Sequence, residues 1–168
     1  MAESFFSFPN PVNQTAARLV ACGVVAVDAL ALGTGWLWLS ALLAYGFLAR
    51  VAAGPRLSPL AATAVRLAPH IRADGPFVPG PPKRFAQSLG ALFSLAALGC
   101  DLAGARPGAY VLLALLLVPA LLEAGLGYCV GCELFGLGMR IGLVPESICL
   151  ECADLYSAHA RARRLSRS

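Results

Sequence analysis

The sequence predicts an all-α integral membrane protein of four transmembrane helices arranged as two hairpins, and three observations carry that prediction. Hydrophobic residues make up 58% of the 168 and charged residues only 13%, whereas an average soluble domain is about a quarter charged. The apolar residues are gathered into four runs, each near the roughly 20 residues a bilayer crossing needs. Of the 13 Lys and Arg residues, all but Arg106 fall in segments that four crossings place on a single side. Positive charge near helix ends stays cytoplasmic, so the reading is a multi-pass protein of the cytoplasmic (inner) membrane with both termini in the cytoplasm. No basic arm interleaved with aromatic residues points to nucleic acid; the lipid bilayer is the expected partner of this surface.

Each element has its local signals. Residues 1–15 form a lead-in in which Phe5, Phe6 and Phe8 suit a membrane interface, Pro9 and Pro11 delay helix formation, and Asn13 or Thr15 can cap the first helix. The first run, 16–34, is expected to be retained. The start Met1-Ala2-Glu3-Ser4 lacks the basic lead of a signal peptide, the first basic residue is Arg18, and another apolar run comes immediately after. Gly33-Thr34-Gly35 makes a turn into the second run, 36–53, which opens on Trp36 and Trp38 and closes on Arg50.

The central loop, 54–84, carries its own helix. Ser58-Pro59 is a helix start, and Leu60, Ala64, Leu67 and Ile71 share one face, with Arg66 and His70 elsewhere. This spacing predicts an amphipathic helix on the cytoplasmic membrane surface, weakened by Pro69. Asp74 to Pro82 reads as an extended linker, and Lys83-Arg84 precedes the third run, 85–102. Gly104-Ala105-Arg106-Pro107-Gly108 turns the chain into the fourth run, 109–128, which Pro119 should kink. Residues 1–128 are therefore the transmembrane domain. Residues 129–168 are a short cytoplasmic segment holding cysteines and a basic tail, Arg161 to Arg167.

The chemistry concentrates at the boundary between those parts. Four of the six cysteines form two Cys-x-x-Cys pairs, Cys129/Cys132 and Cys149/Cys152, separated by 16 residues. Thiols facing the cytoplasm are kept reduced, which leaves three uses. The spacing is that of a four-thiolate metal site with Cys129, Cys132, Cys149 and Cys152 as ligands; zinc fits best and iron next. Metal binding would then fold a tail too small to have a core. Alternatively, one or both pairs, with Cys129 and Cys132 the first candidates, cycle between dithiol and disulfide or carry a sulfane sulfur, with a thiolate as nucleophile. The third use is none: four reduced thiols without a special role. Cys22 and Cys100, single cysteines in apolar runs, read as small core residues.

Two acids inside apolar runs are functional candidates. Asp28 lies roughly 15 Å along its helix from Arg18, near mid-membrane, and Glu123 lies about 9 Å below the Cys129 level. A proton path toward the thiols is one reading. An interhelical hydrogen bond, or a Glu123–Arg18 pair, is the structural one. His70 and His159 stand alone in surface segments, and no Ser-His-Asp set, phosphate loop or helix-borne His-Glu motif is present.

Four stretches taken in order carry a resemblance: Phe8-Pro9-Asn10-Pro11-Val12-Asn13, Gly54-Pro55-Arg56-Leu57-Ser58-Pro59-Leu60, Pro82-Lys83-Arg84-Phe85-Ala86-Gln87 and Cys129-Val130-Gly131-Cys132. Together they resemble domain of unknown function family 4395, small bacterial integral membrane proteins without an assigned activity. The resemblance runs from about residue 8 to 132. It implies a membrane location and a functional role for the first cysteine pair, supplies no reaction, and does not extend to Cys149 and Cys152. A weaker likeness, to the membrane domain that accompanies some rhodanese-type sulfurtransferases, implies sulfur trafficking.

The leading expectation is thus a cytoplasm-facing zinc-thiolate site that shapes a docking surface for a soluble partner. The alternative is a thiol-redox or sulfur-relay protein working with a thioredoxin-like or rhodanese-like partner. A small transporter using Asp28 and Glu123 is the third class.

Overall fold

The computed structural model of the chain describes residues 12–71 and 77–142. In order they form β1 (Val12–Asn13), α1 (Gln14–Thr34), α2 (Leu39–Ala53), a 3-10 turn (Gly54–Arg56), α3 (Pro59–Ile71), β2 (Phe77–Val78), α4 (Gly80–Leu102), α5 (Arg106–Leu126) and α6 (Val130–Arg140). Asn13 caps α1 as expected, its Oδ1 accepting the Thr15 and Ala16 amides at 2.8 and 3.2 Å.

Several boundaries differ from the sequence reading, each for a physical reason. α4 begins at Gly80 rather than residue 85, because Pro81 and Pro82 occupy the first turn, where a missing N–H costs nothing. The linker before it is not wholly free: β2 pairs antiparallel with β1, Val12 opposite Val78 and Asn13 opposite Phe77. This short ribbon ties the start of α1 to the start of α4. α5 begins at Arg106 with Pro107 in its first turn. α2 starts at Leu39, not Trp36, because the preceding residues wind tightly. Leu39, Ser40 and Ala41 each donate to the carbonyl three residues back, with Leu37 buried and both tryptophans exposed. Residues 130–140, read from sequence as part of the short cysteine-bearing segment with no helix assigned, form α6.

Three helices, α1, α4 and α5, are long and apolar enough to cross a membrane. At 15 residues, α2 spans only about 22 Å. The described chain is otherwise helical apart from the two-residue ribbon, and its outward face is apolar, with Leu92, Leu95, Val111, Leu115 and Val118 all exposed.

The helices pack as a ring in which α1 meets α5, α5 meets α4, α4 meets α2, and α2 closes back on α1. Val24, Leu43, Phe47, Leu113 and Leu116 are among the residues of the common core. α3 lies outside the ring against α1. It buries Ala61, Ala64 and Ala68 there, while Leu67 and Ile71 point outward. α6 packs mainly on α4, with the Phe85 and Phe135 rings 5.7 Å apart.

Candidate functional site

The cysteine turn is built by the way α5 stops. Gly127 adopts φ +69, a left-handed conformation that a Cβ would strain, and its N–H donates to the Glu123 carbonyl while Tyr128 N–H donates to Leu122. The other carbonyls at that end would be orphans. Arg18 of α1 takes two of them, donating from Nε to Ala124 and from Nη2 to Gly125 at 3.2 and 2.6 Å. Gln14 donates to the Gly127 carbonyl at 3.2 Å. The start of the first helix therefore holds the end of the fifth, and the chain leaves that clamp directly into Cys129.

Cys129 is the N-cap residue of α6, in extended conformation, and the Cys132 amide donates to its carbonyl at 3.0 Å. The first cysteine thus sits just ahead of the helix and the second in its first turn. α6 is held close by Gly131: a Cβ there would lie 2.7 Å from the Ala86 Cα, so the glycine between the cysteines is what lets the two helices touch.

This placement makes the sulfurs unequal. The Cys132 thiol hydrogen-bonds the Cys129 sulfur and draws its pKa below the ordinary thiol value, with Lys83 adding favourable charge; burial and Glu123 act in opposition. A helix N-terminus also favours a thiolate. Cys132 moves the other way, held protonated first by that same hydrogen bond and then by burial. One sulfur is biased toward the thiolate and its neighbour toward the thiol.

Lys83 Nζ and Glu123 Oε1 form an ion pair at 2.5 Å, largely buried between α4 and α5. The expected Glu123–Arg18 pair is therefore corrected: Arg18 is committed to backbone carbonyls, and Lys83, one helical turn into α4, reaches the acid instead. Arg50 at the end of α2 lies at the same end of the ring, its Nε donating to Gln87 Oε1 at 2.6 Å. A cavity of about 290 Å³ runs between these helices. Val24, Phe93 and Leu116 are among its apolar walls, and Arg50, Lys83, Gln87, Glu123 and Cys129 supply polar groups.

Of the residues singled out from sequence, the fold brings Cys129, Cys132 and Glu123 together. Asp28 is fully buried in α1 with neither carboxylate oxygen hydrogen-bonded, and it is not among the residues lining the cavity. Cys149, Cys152 and His159 lie outside the described residues. Among those described, no group of three His, Cys, Asp or Glu side chains converges as a metal ion needs. Cys100 is half-buried against the common core, but Cys22, expected inside, is exposed. His70 is exposed, its Nδ1 3.1 Å from the Arg66 carbonyl. Sequence reasoning uses Lys83, Arg50 and Gln87 only as topology markers or not at all. The available signal is that two basic residues bound apolar runs at the end of the bundle where the cysteines emerge.

Comparison with known proteins adds one finding. The family model described as Domain of unknown function (DUF4395) matches residues 12–140. No curated protein and no solved structure matches the chain.

Proposed function

We propose, on the premise that this chain belongs to the DUF4395 family, that it is a membrane thiol–disulfide exchange protein with Cys129 as the attacking sulfur and Cys132 as the resolving one. The observation that carries this reading is the placement of the pair, with Cys129 capping the N-terminus of α6 and Cys132 in its first turn, the two sulfurs within hydrogen-bonding reach. An exchange site needs one thiolate and one thiol in reserve. The Cys129 thiolate attacks a disulfide of a soluble partner, a new S–S bond forms, and one partner sulfur leaves as thiolate. Cys132, losing its proton, then attacks the Cys129 sulfur and releases the partner's second thiol. The chain ends as the Cys129–Cys132 disulfide and the partner as a dithiol; the reverse steps oxidise a partner dithiol. A thioredoxin-like protein suits this chemistry, and a rhodanese-like one would use Cys129 to accept a sulfane sulfur.

The same reading completes the topology. α2 with its tight Trp36–Trp38 turn makes a fourth crossing, giving two hairpins in the inner membrane. Both termini and the cysteine turn face the cytoplasm, since in the sequence every basic residue except Arg106 falls in a segment that four crossings put on that side, and α3 lies along the membrane surface. The competing proposal is a zinc site completed by Cys149 and Cys152, supported by spacing.

Metal content and thiol state of the full chain, purified in detergent, separate the two. Exchange predicts no stoichiometric zinc or iron, reversible formation of a Cys129–Cys132 disulfide, and a mixed disulfide trapped in Cys132→Ser. About one zinc per chain, lost in Cys129→Ser, with thiols that resist oxidation, would overturn exchange in favour of metal.

A further inference from the structure

We infer that the cavity behind Cys129 is a binding site for a membrane quinone, which serves as the electron acceptor for the Cys129/Cys132 dithiol. This rests on the exchange reading above and names the second substrate of that site.

Three observations converge on this class of ligand. The first is size and lining. At about 290 Å³ the cavity is just under the roughly 300 Å³ at which small-molecule sites begin, and its walls are mainly apolar side chains from helices whose outer faces are apolar. An apolar molecule dissolved in a bilayer fits such a site better than a water-borne one.

The second is charge. The cavity wall holds Arg50, Lys83 and Glu123. Lys83 and Glu123 neutralise each other, but Arg50, only 5% exposed, faces no carboxylate among the described residues. Its guanidinium is held by Gln87 at 2.6 Å and more weakly by Ser58 at 3.4 Å, it lies over the Phe47 ring at 4.5 Å, and its Nη2 has no hydrogen-bond partner. A buried cation without a counter-ion is costly. It is useful where negative charge arrives during a reaction, because a fixed charge in a dry site stabilises it without reorganisation.

The third is reach: Cys129 is itself one of the residues lining the cavity. A ligand held there lies against a sulfur already biased toward thiolate.

The chemistry closes with these parts. The Cys129 thiolate attacks a ring carbon of the quinone, an S–C bond forms, and the displaced electron pair moves onto a ring oxygen beside the Arg50 charge. That oxygen takes a proton from solvent, replacing the one Cys129 had lost. Cys132, giving its own proton to the second oxygen, attacks the Cys129 sulfur; the S–S bond forms, the S–C bond breaks, and its electron pair stays with the ring. Two thiols have become a disulfide, and the quinone has taken two electrons and two protons to become a quinol. A soluble dithiol partner then returns the site to its reduced state.

The test uses the full chain, reduced and freed of reductant in detergent micelles, with decylubiquinone as probe and quinone absorbance as readout. One quinol formed per Cys129–Cys132 disulfide is expected. Cys132→Ser should form no quinol beyond the blank. Arg50→Gln should slow reduction by about tenfold or more, with Arg50→Lys restoring much of it. Ala120→Leu, which fills the cavity, should raise the quinone concentration needed and provides a second route if Arg50→Gln does not fold. Exchange with a small aromatic disulfide but no quinone reduction would overturn the quinone site and leave the exchange reading standing. Failure of both would overturn the exchange reading with it. Quinone reduction equally fast in Arg50→Gln and Ala120→Leu would show that the quinone reacts elsewhere.

Discussion

Gly131→Ala isolates the contact on which the site depends. A Cβ at 131 would lie 2.5 Å from the Ala86 Cβ and 2.7 Å from its Cα, whereas carbon–carbon contact is comfortable from about 3.5 Å. Ala86 is in α4 and its Cα cannot rotate aside, so α6 has to withdraw by about 1 Å. Overpacking of this kind costs about 1–3 kcal/mol. The withdrawal also carries Cys129 away from Lys83, and a displacement of about 1 Å at a reacting group can cost as much as a hundredfold in rate. The expected result is a lower thermal midpoint in detergent together with slower alkylation of Cys129 at pH 7. Ala86→Gly in the same chain should rescue only part of both, because it removes the Cβ overlap and leaves the Cα one. A Gly131→Ala chain that unfolds and alkylates like the parent would refute the docking of α6 on α4.

Three further outcomes are expected. Lys83→Met strands the largely buried Glu123 carboxylate and should cost about 3 kcal/mol, while Lys83→Met with Glu123→Leu should recover most of it; equal stability of the two chains would remove the ion pair from the account. The thiolate is the form that alkylates, and it appears as pH rises through the pKa. The lowered Cys129 value therefore puts half-maximal reactivity at a lower pH than for an unperturbed cysteine, and Cys132→Ala, which removes the hydrogen-bond donor, should move that midpoint upward. Asp28→Asn removes an acid whose oxygens have no partner and should raise stability by about 1 kcal/mol without altering Cys129 alkylation; a loss of stability would reveal a partner, and altered alkylation would tie Asp28 to the thiols.

What the sequence discloses here divides by range. The apolar runs, the Asn13 cap, the Ser58-Pro59 start and the cysteine pair are local, and each is legible because a few neighbouring residues determine it. The proline-led starts of α4 and α5 fall a few residues from their expected places, since Pro81, Pro82 and Pro107 read as linker or turn until a helix is seen to use them at its first positions. α6 escapes a sequence reading because Gly131, Gly136 and Gly138 lower helix propensity, and only contact with α4 offsets that. The partner of Glu123 escapes it for a related reason. Depth along the helices places Arg18 and Lys83 about equally near, and the choice is made by backbone carbonyls at the end of α5, which no side-chain pattern reports. The cavity and the uncompensated charge of Arg50 are properties of five helices together and have no local signature.

The clamp of Gln14 and Arg18 on the end of α5 has a consequence for how the chain is made. Gln14 and Gly127 are 113 positions apart, so the cysteine turn acquires its shape only after the last long helix has returned to the first. During synthesis, contacts this distant form late, and until then the turn that leads into Cys129 lacks the side chains that hold the end of α5. The placing of Cys129 near Lys83 of α4 is thereby deferred to the completed bundle. On the exchange reading, a chain that stalls or inserts wrongly carries its cysteine pair without that charge beside it, and so enters disulfide chemistry at the membrane less readily than the finished bundle.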